Sequence, residues 1–169
     1  MNGSQKLLII AGLILAVLGM SYGLYYALFD EHQTLQGMGM SLATGFANVA
    51  EDNLPEARTA IDNFSAIQSE YVREVHAHSH SIALGMLLIV LGMAFNQIAF
   101  AEQHRFLISL ALVIGAVLFP LGVLLQTFDL GIFAKILSIL GTITLIAGFF
   151  MVTWGFIKPF STDNSKEQN

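Results

Sequence analysis

The chain contains no cysteine among its 169 residues, and only 11% of its residues are charged. Without cysteine, disulfides, thiolate metal ligands, iron–sulfur clusters and covalently attached c-type haem are all excluded. A soluble domain carries about 25% charged residues, so this composition argues against a soluble protein. The net charge of −5 argues against nucleic acid as a partner.

The shortage of charge is concentrated in four long runs that contain no charged residue at all. They cover residues 7–29, 81–101, 106–126 and 136–157. Each run has about 20 residues or more, enough for a helix to cross a hydrocarbon core of roughly 30 Å. The sequence therefore predicts an all-α membrane protein with four transmembrane helices. We expect one membrane domain over residues 1–160 and a disordered cytoplasmic tail over 161–169.

Lysine and arginine near the ends of these runs predict how the chain crosses the bilayer. One side carries Lys6, Arg105, Lys158 and Lys166, and the other carries Arg58, Arg73 and Lys135. Positive residues are enriched on the cytoplasmic side of a membrane protein. We therefore expect a bacterial cytoplasmic (inner) membrane protein with both termini in the cytoplasm and the polar segment 30–80 outside.

The segment 30–80 is too polar to enter the membrane, yet its apolar residues follow a helical period. They recur at steps of three and four in two sets: Leu35, Met38, Leu42, Phe46 and Val49, then Ala57, Ile61, Phe64, Ile67, Tyr71 and Val75. This spacing predicts two amphipathic helices. Between them, Asn53 with Glu56 resembles a capping box, and Pro55 suits a first helical turn. We expect an extracytoplasmic helical hairpin whose two helices extend the first two transmembrane helices.

Three histidines stand where this hairpin meets the second apolar run: His76, His78 and His80. Imidazole binds copper, zinc and haem iron. At about 100° per residue, His76 and His80 share one helix face while His78 points roughly 200° away. We expect His78 to face the first long helix, and the other two histidines to face a later transmembrane helix.

A hairpin tip near Asn53 brings further polar side chains to the same height as this cluster. In an antiparallel hairpin, residues at equal distance from the tip lie at the same height along the two helices. This places His32 beside Val75, next to the histidine cluster, and brings Glu31 to the same height. Asp129, between the third and fourth runs, falls on the same outer side.

These residues predict a group bound at the outer membrane face. One prediction is haem b, held by His78 and one of His32, His76 or His80 between facing helices. The alternative is a copper or zinc site built from the same histidines, with Glu31 or Asp129 as a carboxylate ligand. The cluster also fits a third interpretation, a solvated turn at the membrane surface.

Residues 78–85 read His-Ser-His-Ser-Ile-Ala-Leu-Gly, the pattern H-x-H-x-x-x-L-G. This segment resembles a helix start in the catalytic subunits of haem–copper oxidases. It is also similar to small uncharacterised bacterial membrane proteins that begin a span with His-x-His. The resemblance implies haem or copper at a helix start, without implying oxygen reduction, because the further spans and ligand helices of the oxidase subunit are absent.

Three functions are compatible with these features. The first is a small membrane cytochrome or metal-site protein, working in electron transfer or as an accessory subunit of a respiratory complex. The second is a protein that handles copper or zinc. The third is a structural or sensory module whose hairpin binds a protein partner, and a homo-oligomer is also open. Whether the chain is an enzyme stays open, since it has no nucleophile–base pair and no phosphate loop.

Overall fold

The computed structural model describes residues 1–127 and 130–158. These residues form five α-helices and one 3-10 turn: α1 (Gly3–Phe29), α2 (Glu31–Ala50), α3 (Leu54–Ala94), the turn Phe95–Gln97, α4 (Glu102–Leu125) and α5 (Gly131–Ile157). The described part of the chain contains no strand. Four helices, α1, α3, α4 and α5, are long and apolar enough to cross a membrane, so the predicted all-α class and the four candidate spans are confirmed. The tail predicted over 161–169 lies outside the described residues.

A single residue, Asp30, separates α1 from α2. Its backbone has φ −113° and ψ −35°, and its N–H still donates to the carbonyl oxygen of Tyr26 at 2.9 Å. The N–H of Thr34 in turn donates to the carbonyl oxygen of Asp30 at 3.0 Å. Helical hydrogen bonding therefore runs across the interruption, and α2 follows α1 directly, with one residue between the two helices.

The turn between α2 and α3 is centred on Asp52, whose φ of 59° is left-handed. The N–H of Asn53 donates to the carbonyl oxygen of Asn48 at 2.8 Å, which closes the turn. The helix begins at Leu54 as expected, but the capping box does not form, because the side chain of Asn53 makes no capping hydrogen bond. A capping side chain requires an extended backbone, whereas Asn53 has ψ 71°.

α3 is one uninterrupted helix of 41 residues, so the predicted continuity between the second polar helix and the second apolar run is confirmed. At 1.5 Å per residue it is about 60 Å long. A hydrocarbon core is roughly 30 Å thick. About half of α3 therefore extends beyond the reach of a bilayer.

The helices that are long and apolar enough to span a membrane pack closely through small residues. A Cβ atom placed on Gly12 of α1 would lie 2.6 Å from the carbonyl oxygen of Gly85 in α3, and one placed on Gly85 would lie 2.6 Å from that of Gly12. Such backbone contact is typical of helices that associate in lipid. α4 and α5 form a second closely packed pair, and the apolar core between the two pairs includes Leu8, Leu88 and Leu112.

The end of the bundle that holds the N-terminus is tied together by Glu102, in the first turn of α4. Its Oε1 accepts hydrogen bonds from the backbone N–H and the hydroxyl of Ser4, at 3.1 and 2.9 Å. Its Oε2 accepts from the Asn2 amide at 3.3 Å and lies 3.4 Å from Nε of Arg105. One carboxylate thus stabilises the N-terminal ends of two helices, where backbone N–H groups favour negative charge.

Candidate functional site

The imidazole of His78 lies against α1, as its helical phase predicts. A Cβ atom on Gly23 would stand 3.0 Å from the ring Cδ2 atom, and the ring centre of Tyr22 is 6.5 Å away. Nδ1 of His78 lies 3.0 Å from the carbonyl oxygen of Glu74, one turn earlier in α3. The absence of a side chain on Gly23 provides the space that this imidazole occupies.

A second link between α1 and α3 joins the Tyr22 hydroxyl, which donates a hydrogen bond, to Oε2 of Glu74. The sequence alone suggests that Tyr22 is an anchor at the membrane interface. It suggests that Glu74 accepts a hydrogen bond from the ring nitrogen of a metal-bound histidine that does not bind the metal. Their pairing depends on the register of α1 against α3, for which the sequence carries no direct signal. Tyr22, Glu74 and His78 together fasten α1 to α3. Because α1 is in contact with the His78 ring, this arrangement gives the haem b prediction no support.

His76 and His80 occupy a different face of α3, as predicted. Their ring centres are 5.6 Å apart, with the planes inclined at 63°. His80 also contacts the ring of Phe119 in α4, with 5.0 Å between ring centres. The expectation that His80 faces a later transmembrane helix is confirmed, while His76 is exposed.

The spacing of these two rings is compatible with one shared metal ion. A zinc–nitrogen bond is about 2 Å long, so a ring centre stands about 3 Å from a bound ion and two such centres at most about 6 Å apart. The observed 5.6 Å falls within that limit. Within residues 1–127 and 130–158, however, no three His, Asp or Glu side chains are grouped closely enough to hold a metal. The structure therefore pairs two of the predicted ligands and does not assemble the larger site.

The contacts of α2 with α3 show why His32 is not part of the cluster. Gly45 lies against Ala60, with 3.7 Å from its ideal Cβ position to the Ala60 Cβ, and Gly37 lies against Ile67 at 3.5 Å. A tip at Asn53 would instead place Gly37 level with Glu70. The left-handed residue Asp52 is the actual centre of the turn, and the two contacts place α2 two to three residues, about 3–4.5 Å, from the expected register along α3.

The remaining predicted ligands lie apart from the paired histidines or outside the described residues. His32 is exposed in the first turn of α2, and this register brings it level with Val72 instead of Val75. Glu31 precedes it on the same turn. Asp129 lies outside the described residues. The depth predicted for His32 therefore differs by about three residues, roughly 4.5 Å along α3, because the turn is centred earlier in the chain than Asn53.

Two clefts lie beside these residues. One, of about 300 Å³, separates α2 from α3 near the end of α1 and is lined by Tyr26, Asp30, Gln33, Thr34, Ile67, Glu70 and Glu74. The other, of about 290 Å³, is almost wholly apolar and lies between α1, α3 and α4. The apolar lining of this second cleft suits the lipid tails that surround membrane helices.

A further surface feature is a set of exposed apolar side chains on α2 and on the first half of α3. On α2 it comprises Leu35, Leu42, Phe46 and Val49, and on α3 it comprises Leu54, Ile61 and Val72, with exposed fractions from 38% to 73%. At 100° per residue the four residues of α2 fall within about 60° of one another, and the three of α3 within about 20°. The amphipathic spacing is visible in the sequence, but the side of the helix pair on which these residues lie is not.

Both stripes lie on the same side of the helix pair. The line of contact runs through Gly37 and Gly45 on α2, and through Ala60 and Ile67 on α3. Each apolar stripe is rotated from that line by about 110–120° about the axis of its helix. Viewed along the chain direction of each helix, the rotation has the same direction in both. Because the two helices run in opposite directions, equal rotations bring the stripes to one side. The two stripes thus form one surface, which we call the apolar face, and on α3 it also carries the exposed Arg58.

The chain matches no protein-family model, no curated protein and no solved structure. The resemblance of residues 78–85 to haem–copper oxidase subunits is therefore left without independent support.

Proposed function

We propose that this chain is a membrane-anchored interaction module, the third of the functions compatible with its sequence. It holds the helix pair α2–α3 outside the bilayer and binds a protein through the apolar face. The observation that carries the proposal is the continuity of α3, a single 41-residue helix that is both membrane span and support for this face.

The continuity of α3 decides which solvent surrounds the apolar face. A helix of about 60 Å that crosses a hydrocarbon core of roughly 30 Å must extend beyond it. The apolar third of α3, over residues 81–94, is the part suited to the core, so the Leu54 end stands in water. A helix pair that projects in this way cannot also lie flat on the lipid surface. A contiguous apolar surface in water marks an interaction site.

The links between α1 and α3 favour mechanical coupling between this surface and the membrane. The Tyr22–Glu74 hydrogen bond and the contact of His78 with Gly23 lie where α3 passes from its polar half to its apolar half. They hold the projecting half of α3 in fixed orientation to α1. A partner bound outside then acts on two membrane helices together, as a sensory or structural module requires.

The distribution of lysine and arginine supports the orientation of this module. Lys6, Arg105 and Lys158 lie at the ends of the helices opposite to the α2–α3 turn, and positive residues favour the cytoplasmic side. We place both termini in the cytoplasm of a bacterial inner membrane and the apolar face outside.

A photo-reactive amino acid introduced at Phe46 tests the proposal in native membranes. Phe46 has the highest exposure of the apolar face, at 73%. Met40 is 63% exposed but is rotated about 120° from Phe46 on the same helix, so it is the matched control. We expect cross-links to protein from position 46 and none from position 40. Cross-links to lipid alone from position 46 would contradict the proposal.

A transition-metal role is a second candidate, favoured by one observation. His76 and His80 hold their ring centres 5.6 Å apart on one helix face, and imidazole pairs of this kind suit copper or zinc. Water or a further side chain would complete the coordination. The electron-transfer and respiratory-complex functions require haem or a transition metal at the histidine cluster, and they stay predictions.

A further inference from the structure

We infer that the protein bound by the apolar face is a second copy of this chain. Two copies then associate side by side in the membrane, each contributing its α2–α3 pair to one bundle of four helices. The inference rests on the proposed function and names its partner. It is carried by the charge, the geometry and the area of the apolar face.

The first argument is the absence of charge along α2. Residues 33–50 contain no charged side chain, although the chain has 12 acidic residues. In a two-fold interface the same surface is used by both copies, so a residue near the axis meets its own copy. Any charge there would face a like charge, which costs several kcal/mol in an interface. A foreign partner imposes no such requirement, since a charged surface can be met by the opposite charge.

Acidic residues in the α2–α3 segment are kept away from the apolar face. Glu51 and Asp52 lie in the turn, while Glu70 and Glu74 line the cleft that α3 forms with α1 and α2. The segment is thus strongly acidic but neutral along α2, while the α3 stripe includes Arg58, about 40° from Leu54, so the α2 stripe is the part that can lie at a two-fold axis. This distribution suits pairing with itself.

The second argument is the geometry that the membrane imposes. Two copies in one bilayer share one orientation, so their two-fold axis runs along the membrane normal and each residue meets its copy at equal height. Leu35, Leu42 and Val49 are spaced by seven residues, the repeat by which long helices pack in parallel. Two helix pairs brought together by such stripes form a four-helix bundle.

The third argument is the area available. A large apolar side chain exposes roughly 150–200 Å² when free. From the exposed fractions of its seven residues, the apolar face offers roughly 600–700 Å² per copy, close to the ~800 Å² that a stable interface buries on each partner. Phe46, the most exposed, lies near the middle of the α2 stripe, where binding energy concentrates.

Single cysteines test the inference cleanly because the chain has none of its own. The full-length variants Leu42→Cys, Val49→Cys and Met40→Cys are purified, returned to liposomes and treated with a bis-maleimide. We expect covalent dimers, at twice the 18.4 kDa chain mass, from the Leu42→Cys and Val49→Cys variants and at least fivefold less from the Met40→Cys variant. Equal dimer yields from all three variants, or no dimer from any, would overturn the inference.

Charge complementation provides a second readout that does not depend on cysteine placement. Phe46 is exposed, so Phe46→Glu and Phe46→Lys should each fold as single copies and lose the dimer. Two differently tagged chains carrying these opposite charges, expressed together, should recover a mixed dimer. Loss of the dimer in each variant without recovery of the mixed species would overturn the inference.

The two proposals fail in different ways. If the photo-reactive group at Phe46 captures another protein in native membranes while the purified chain forms no dimer, self-association is overturned and the interaction module stands. If neither experiment yields a protein cross-link, both proposals are overturned.

Discussion

His78 of α3 rests on Gly23 of α1, where a Cβ atom would stand 3.0 Å from the imidazole Cδ2. The same imidazole has its Nδ1 atom 3.0 Å from the Glu74 carbonyl oxygen. These contacts give His78 a role in helix packing at the point where α3 leaves the apolar half of its length.

A larger side chain at Gly23 should therefore disturb this contact. Gly23→Leu forces the imidazole or α1 to move, and overpacking of this kind costs about 1–3 kcal/mol. Thermal unfolding of the purified protein in detergent measures the loss. Gly3→Ala is the control, because the atom nearest to its new Cβ is 3.9 Å away. Equal unfolding temperatures for both variants would show that α1 and α3 are not in contact at His78.

The hydrogen bond between Tyr22 and Glu74 predicts a second effect on stability. Tyr22→Phe leaves the Glu74 carboxylate without its phenol donor, which should destabilise the protein by about 1–2 kcal/mol. Tyr25→Phe removes the same hydroxyl from a residue that is 53% exposed and should have little effect. Unfolding of the two variants in one detergent gives the comparison. A larger loss from Tyr25→Phe would contradict the register of α1 against α3.

Glu102 predicts a third effect, at the opposite end of the bundle. Glu102→Ala removes the acceptor for two hydrogen bonds from Ser4 and should cost about 1–3 kcal/mol. Glu102→Gln keeps an acceptor oxygen and should cost less, while Gln103→Ala on the exposed face beside it should be neutral. Chemical unfolding ranks the three variants. The account fails at this position if Glu102→Gln is as damaging as Glu102→Ala.

The affinity for Zn²⁺ should depend on His76 and His80 and not on His78, which lies on a different face of α3. If His76 and His80 share an ion, His76→Ala and His80→Ala should each weaken Zn²⁺ binding more than tenfold, which is about 1.4 kcal/mol. His78→Ala should leave the affinity unchanged, because His78 is directed at α1. Calorimetric titration of the purified chain with Zn²⁺ gives the affinities. Loss of binding in His78→Ala alone would revive the predicted site between His78 and the first long helix.

Much of the helical framework could be predicted, because the spacing of apolar residues and the length of the uncharged runs can be read directly from the sequence. The continuity of α3, the direction of His78 and the pairing of His76 with His80 all follow from 3.6 residues per turn. The start of α3 at Leu54 also follows from the polar turn residues before it.

What could not be predicted depends on contacts between helices. The pairing of Tyr22 with Glu74 requires the register of α1 against α3, which backbone contact between Gly12 and Gly85 determines. The depth of His32 depends on a turn centred on Asp52, and each one-residue shift of that centre changes the α3 residue level with His32 by two positions, about 3 Å. The apolar stripes were visible, but which side of the helix pair they occupy was not.

The most direct test of the central claim is the rate at which single cysteines react with a membrane-impermeant maleimide added to intact spheroplasts. Met40→Cys and Phe46→Cys are compared, since both native side chains are more than 60% exposed in one chain. We predict that Met40→Cys reacts quickly from outside, whereas Phe46→Cys reacts at least fivefold more slowly until detergent separates the partners. Equal rates at the two positions in intact spheroplasts would contradict a covered apolar face outside the membrane.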